Sequence, residues 1–303
     1  MSNHDQPIFC GRYKHYRQIV GIMMVGPVTL LLSFLLITPF VAAAWWSLTE
    51  GATADLTLRN YKWLGNPSTI DAFLTSLFMG IGSVMLEIFL AVPLAILLNQ
   101  PLPLRGVMRA AVTLPWAIPT VAVAAAFLWL SNTNYGLFNQ IGFATGILKN
   151  PVSLLGSQHL ALLSVTVAHA WKGLPLVFII ILASLQSLPD ELLEAARVDG
   201  AGTWSRFRYI ILPHLKASIA LSAVLSGIYN FSLFDITFLL TGGGPAGKTL
   251  TLPLLLYFEQ FKAFDRGHAA VTGISIFMAS LLALILVFFL ISLDRKKLGT
   301  KQR

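Results

Sequence analysis

Six stretches of this sequence run for twenty or more residues with almost no charge, and they leave few folds open. They cover roughly residues 19–48, 72–98, 107–130, 160–185, 216–240 and 269–293. At about 1.5 Å of rise per residue, a helix of each length crosses a hydrocarbon layer of about 30 Å. Backbone in that layer must satisfy its own polar groups, so helices are expected rather than open strands. Of the 303 residues 56% are hydrophobic and 11% charged, with a mean hydropathy of +0.74, which a water-soluble domain does not combine with such runs. The expected fold is therefore an all-α membrane protein of six spans over 19–294, with polar tails at 1–18 and 295–303. A charged start before an apolar run also suits a signal peptide, but the first run is too long and shows no small-residue cleavage site. Trp45, Trp46 and Trp129 fall near span ends, where indole rings anchor at the membrane interface.

The net charge of +8 invites a nucleic-acid partner. The basic residues lie between apolar runs, however, and membrane topology explains them better. Of the 21, fourteen lie in the two tails, the second–third connection and the fourth–fifth connection; six lie on the opposite side, and Lys172 is within a span. The richer side is expected to be cytoplasmic, which places both termini and the fourth–fifth connection inside. Cys10 is the single cysteine and excludes an intrachain disulfide. His159, His169, His214 and His268 have no metal-ligand spacing, His268 being placed in the last outer loop. No Ser/His/Asp grouping shares an element, so neither a catalytic nor a metal site is expected.

Within the spans, Pro115 and Pro119 interrupt the third and Pro175 the fourth. Such breaks are expected to face the bundle or a cavity, where their freed backbone groups find partners. Glu87, Lys172 and Asp235 are ionisable groups in or near apolar runs. They are expected to face partners or a pathway, an internal ion pair or interface snorkelling being the alternative.

The fourth–fifth connection, 186–215, is the most informative polar segment. Ser187-Leu188-Pro189-Asp190 is a helix-start signal, and Gly200 can take the left-handed conformation that ends a helix after Asp199. Trp204, Phe207, Ile210 and Ile211 share one face of a second short helix. A solvated loop helix accounts for the charges, since Asp190, Glu191 and Glu194 lie near its N-terminus and Arg197 near its C-terminus. The pattern as a whole carries more. Glu194-Ala195-Ala196, three residues, Gly200, nine residues and then Ile210-Ile211-Leu212-Pro213 resembles the signature loop of permease subunits of binding-protein-dependent ABC importers. Ala170-Trp171-Lys172-Gly173-Leu174-Pro175, Phe231-Ser232-Leu233-Phe234-Asp235 and Leu240-Thr241-Gly242-Gly243-Gly244-Pro245 with Thr249 extend it toward the carbohydrate-uptake branch and its maltose- and glycerol-phosphate-type first permease. The resemblance covers roughly 71–294.

It implies a type I importer permease fold with a cytoplasmic coupling helix docked on an ATPase, Glu194, Ala195, Ala196, Asp199, Gly200 and Ala201 forming that contact. It implies a second permease, expected to be a different chain, two copies of an ABC ATPase that bind the ATP and magnesium, and an extracytoplasmic solute-binding protein. It implies a bacterial or archaeal inner membrane, with no nucleic acid and no cofactor held by this chain. Sugars call for aromatic faces with hydroxyl and amide groups. Trp116, Asn230, Ser232, Phe234 and Asp235 are the pathway candidates, against packing or interhelical hydrogen bonding for each. The competing class is an ion-coupled secondary transporter, which calls for paired broken helices in two related halves. No internal repeat is evident, and the signature loop has no role in it.

One motif points elsewhere. Gly242-Gly243-Gly244-Pro245-Ala246-Gly247-Lys248-Thr249 fits the G-x-x-x-x-G-K-T phosphate loop. That loop needs a strand before it and a helix N-terminus facing the phosphate. Here an apolar span precedes it and Pro253 follows, so a glycine-rich outer turn near the docking face of a binding protein is expected instead.

Overall fold

The computed structural model describes residues 9–50, 55–232 and 234–299. Helix α1 (Phe9–Ser47) leads into a small antiparallel ribbon, β1 (Thr49–Glu50) with β2 (Asp55–Leu56), in which Thr49 faces Leu56. A 3-10 segment over Arg59–Gly65 precedes α2 (Pro67–Asn99), whose N-terminus is capped by Asn66 Oδ1 accepting the Ser68 amide at 2.9 Å. Then follow α3 (Arg105–Ala117), α4 (Thr120–Leu130), α5 (Leu137–Ala144), α6 (Gln158–Gln186) and α7 (Asp190–Val198). The remainder comprises α8 (Thr203–Arg206), α9 (Leu212–Phe231), α10 (Asp235–Thr241), α11 (Leu252–Phe258) and α12 (Arg266–Gly299).

Among the described residues, five helical runs are long and apolar enough to cross a membrane: residues 19–47, 67–99, 158–186, 203–231 and 266–285. The sixth crossing is α3 with α4, bent by 98° at the break between them. The six expected spans are thus present, one of them sharply bent. Residues 9–18, assigned to the polar N-terminal tail, are helical and continuous with the first span. Residues 1–8 and 300–303 of the two tails lie outside the described residues.

Helix α6 is the hub: 72% of its apolar stretch is buried, against 28% for α2 and none for α1. Near the α7 end, Ala91, Ala95 and Leu98 of α2 meet Val177, Phe178 and Ile181 of α6 and Leu215 of α9. In the other half, Met79 of α2, Val123 and Ala124 of α4, Val165 and Ala168 of α6, and Ile236 and Leu240 of α10 form a second cluster. Between membrane helices, association rests on close van der Waals packing and polar links, so small residues mark the contacts. At Gly173 a Cβ would run into the Glu87 carboxylate of α2, and only glycine permits that approach.

Four expectations change. Pro175 does not interrupt its span: α6 runs unbroken from Gln158 to Gln186, with Pro175 buried among the neighbouring helices that hold both halves in line. The third span breaks at one proline only. Pro115 stays inside α3, while Ile118, forced toward extended backbone by Pro119, sits at φ −75° and ψ 131°. The fifth span is also broken. Helix α9 ends at Phe231 and α10 begins at Asp235, whose carboxylate complements the new helix dipole instead of interrupting a span. The second short helix of the fourth–fifth connection is not separate: α8, a π turn over Phe207–Ile211 and α9 form one run from Thr203 to Phe231. The Leu212 amide reaches back to the Phe207 carbonyl, a widened turn just before Pro213.

The last outer connection is structured as well. Helix α11 packs Leu252 and Leu255 against Ala72 of α2, and His268 lies in the first turn of α12 rather than in a loop.

Candidate functional site

Helix α7 is held at its ends and not by its flanks. Among the described residues, none of its side chains is buried. Asp190 and Glu191 occupy its first turn and Arg197 its last, as the helix dipole favours. Ser187 does not cap it. Its hydroxyl donates to the Ser184 carbonyl at 2.8 Å and lies 3.2 Å from His214 Nε2, so Pro189 is the residue preceding the helix. The C-terminus closes as expected. Gly200 has φ +79°, the Ala201 amide donates to the Ala196 carbonyl at 2.8 Å, and the Gly200 amide donates to that of Arg197 at 3.1 Å. This paired reversal needs a left-handed residue after Asp199.

Of the six loop residues singled out in the sequence, Glu194, Ala195, Asp199 and Gly200 are exposed and Ala196 and Ala201 half-buried. Beside them Leu192, Val198, Trp204 and Tyr209 present large apolar surface, Val198 at 88% exposure. Behind α7 a hollow of about 390 Å³ is lined by Asn99, Gln100, Leu188, Leu193, Arg197 and Arg206. An amphipathic helix with an uncovered apolar edge, acids alongside and a rigid reversal at one end is suited to a protein partner.

The pathway candidates fall into two groups. Trp116 is 62% exposed at the end of α3, beside the third-span break. Ser232 and Asp235 are exposed and Phe234 half-buried at the fifth-span break. The two breaks meet through one packed cluster, with Ile118 against the group that includes Ile236. Asn230 lies elsewhere, only 7% exposed. Its Nδ2 donates to Glu87 Oε1 at 2.8 Å and to Ser226 Oγ at 2.9 Å, and Ser226 in turn donates to Glu87 Oε2.

Sequence reasoning missed the partners of these groups. Glu87 pairs with a hydroxyl and an amide, and Lys172 with the carbonyls of Ile118 (2.6 Å) and Pro115 (3.3 Å). It also missed the aromatic surround of Phe234, which lies 5.0 Å from Phe238 and 5.2 Å from Tyr257, with Phe261 5.2 Å beyond Tyr257. One signal was available. Ser222, Ser226 and Asn230 on α9, and Ser76, Gly80, Ser83 and Glu87 on α2, recur every three or four residues, and all seven are buried.

At the end of the bundle opposite α7, the fold gathers Glu259, Asp265 and His268, whose ligand-type atoms lie within 4.8 Å of one another, a grouping no sequence spacing announced. His268 Nδ1 is 3.1 Å from Asp265 and 3.5 Å from Glu259, and its ring stacks on Trp63 at 4.2 Å. Asp265 Oδ1 also accepts the His268 amide at 2.9 Å, capping α12. Burial pushes the Glu259 carboxyl above its usual range; His268 pulls it back and Asp265 adds to the rise. The cluster ties the turn before α12 to that helix.

The glycine-rich loop does not present a phosphate cradle. Its amides turn inward: Lys248 donates to the Pro245 carbonyl, Thr249 to Gly243 and Leu250 to Gly247. The Thr249 hydroxyl, fully buried, donates to the Gly244 carbonyl at 2.7 Å.

Known proteins match this chain over most of its length. The chain is 34% identical over 274 residues to the trehalose/maltose transport system permease protein MalF of Thermococcus litoralis, covering 88% of this chain and 92% of that one. It is 30% identical over 267 residues to the trehalose transport system permease protein SugA of Mycobacterium tuberculosis, covering 85% and 84%. A crystal structure of a bacterial alginate ABC transporter in complex with an alginate pentasaccharide-bound periplasmic protein contains a chain of the same fold. Its TM-score is 0.78 at 20% identity over 91% of this chain and 94% of that one. The profile of the binding-protein-dependent transport system inner membrane component matches residues 87–296. With more than half its length matched in this way, the chain belongs to that family and is a membrane-spanning component of ABC importers.

Proposed function

We propose that this chain lines the pathway by which a sugar enters the cell, one wall of a channel completed by a second, different permease. Two copies of an ABC ATPase, which bind the ATP and magnesium, sit beneath it at α7. A binding protein delivers the sugar at the opposite end, near the glycine-rich loop. Both termini and α7 face the cytoplasm, and the membrane is the inner one of a bacterium or archaeon. The observation that carries this reading is α7 itself, a helix without a buried face, ended by the Gly200 reversal and joined through one continuous run to a membrane span. A push on such a helix is transmitted to α9 as a rigid-body shift. Glu194 is the foremost polar contact to the ATPase. The transport systems to which the two sequence relatives belong, trehalose/maltose and trehalose, support these sugars as the first to try. At the two span breaks, Trp116, Phe234, Ser232 and Asp235 provide ring faces and polar groups for a sugar, and Asn230 supports the fifth-span break from behind.

The test is uptake of radiolabelled trehalose and maltose by proteoliposomes that hold the chain with its partner permease, ATPases and binding protein. Uptake that requires ATP and the binding protein is expected. Gly200→Leu, which forces a branched side chain into left-handed backbone at a cost of about 1–2 kcal/mol, is expected to abolish uptake at normal complex levels. Gradient-driven uptake by the chain alone, or normal uptake by Gly200→Leu, overturns the reading.

A further inference from the structure

Helix α6 carries two polar side chains one turn apart, and each reaches a broken helix. Lys172 Nζ donates to the Ile118 and Pro115 carbonyls. Both carbonyls lie at the third-span break, where a helix end leaves carbonyls without an intrahelical amide. Pro119, four residues after Pro115, has no N–H to return, and Ile118 is the extended residue just past the end of α3. His169 Nε2 lies 3.0 Å from the Thr237 hydroxyl of α10, and both residues are buried. Helices α4 and α10, the short segments beyond the two breaks, pack on each other through Val123, Ala124, Ile236 and Leu240. Helix α6 holds this pair at two points, the end of α3 that leads into α4 through Lys172, and α10 itself through His169.

Lys172 is 7% exposed as a residue, and its amine is held against backbone carbonyls. Such a group is costly unless it has a task or a partner. An ordinary residue at position 119 would satisfy the Pro115 carbonyl through its own amide and extend the helix. This chain instead keeps the proline and buries a cation against the gap, so the bend, and not merely a satisfied carbonyl, is what the arrangement preserves. We propose that Lys172 is a positioning residue of the transport cycle. Its ammonium stands in for the amide that Pro119 lacks and fixes the 98° bend that sets the α4–α10 pair against the long helices. The pair carries Asp235 and adjoins Trp116, so its placement shapes the pathway without Lys172 touching the sugar.

The inference rests on the transport reading, and the assay separates the two. The complete complex is reconstituted with its binding protein, and trehalose or maltose uptake and ATP hydrolysis are measured per assembled complex. A wild-type complex without ATP-dependent uptake removes the transport reading itself. With an active wild type, Lys172→Met is expected to lower maximal uptake at least tenfold while the KM for loaded binding protein stays within twofold. Pro119→Ala, which restores the amide and straightens the span, is expected to assemble normally and to lower uptake to a similar degree. The double variant Pro119→Ala with Lys172→Met is expected to regain the thermal stability lost in Lys172→Met but not its uptake. Uptake restored by the double variant makes Lys172 a structural donor only and overturns the proposal. So does uptake within twofold of wild type by Lys172→Met. If Lys172→Met fails to assemble, Pro119→Ala decides alone, and wild-type uptake by that variant overturns the proposal.

Discussion

Glu87 and Asn230 are 143 residues apart in sequence, and their contact decides how each should respond to substitution. Glu87 is fully buried, with its two oxygens taken by Ser226 and Asn230. Asn230→Ala removes the donor to Oε1 and leaves a buried acceptor short of a partner, which costs about 1–3 kcal/mol. The expected result is a lower melting temperature for the detergent-solubilised complex with an unchanged KM for sugar. Trp116→Ala is expected to behave in the opposite way, because an indole 62% exposed beside a span break contributes little to packing: the melting temperature holds and the KM rises. A raised KM with unchanged melting temperature for Asn230→Ala would make Asn230 a pathway residue and not a support. The residue types were legible in the sequence, since an acid and an amide in apolar runs stand out. Their pairing was not, because the four-residue spacing on α9 gives a face but not the helix it meets. The same limit applies to Lys172, whose partners are backbone carbonyls and leave no trace in side-chain identity.

Among the elements, the run from Thr203 to Phe231 couples α7 to the membrane most directly, and the π turn over Phe207–Ile211 sets its phase. An α-helix advances about 100° per residue, so one residue more or fewer in that turn rotates everything before it by that amount relative to α9. Deleting Ile210 is expected to convert the π turn to α-helix and to turn Trp204 and the α7 reversal away from their present direction. Uptake should fall at least tenfold with complex yield within twofold, and ATP hydrolysis should no longer respond to loaded binding protein. Normal stimulation after the deletion would show that the phase of the turn does not matter. The long spans were readable because apolar length is a local property, and so was Gly200, because a left-handed turn needs its own residue type. The breaks were less so. Pro119 ends a helix and Pro175 does not, although both are prolines in apolar runs, and Pro27, Pro39 and Pro93 also lie inside unbroken helices, so proline alone does not mark a break. The fifth-span break has no proline at all, and Asp235, readable as a buried charge, is the first residue of a new helix. The π turn left no pattern beyond Pro213 following it.

For the molecule as a whole, the arrangement is a hub with an uneven rim. Helix α6 ties α2 and α9 at the α7 end and α4 and α10 beyond the breaks, while α1 packs at the edge, its Phe40 ring 5.0 Å from Phe277 of α12. Between α2, α9 and α12 a groove of about 690 Å³ is lined almost wholly by apolar side chains, Phe73, Val84, Phe231 and Met278 among them, as suits a surface within the bilayer. The two polar ends differ in charge. The α7 side has fourteen bases with the tails counted, Arg105, Arg109, Arg197, Arg206 and Arg208 among them, against six on the opposite side, which also has the Glu259–Asp265–His268 cluster. Excess Lys and Arg mark the cytoplasmic side, so α7 is expected inside and the glycine-rich loop outside. The single native cysteine makes this directly measurable. In a Cys10→Ser background, Val198→Cys and Lys248→Cys are placed in turn, the first on a side chain 88% exposed and the second in an exposed turn. A membrane-impermeant maleimide added to intact spheroplasts is expected to label position 248 within minutes and position 198 only after the membrane is opened. Labelling of position 198 in sealed spheroplasts would put α7 on the side without ATP. The charge asymmetry would then have misled, and no ATPase could drive the helices through that loop.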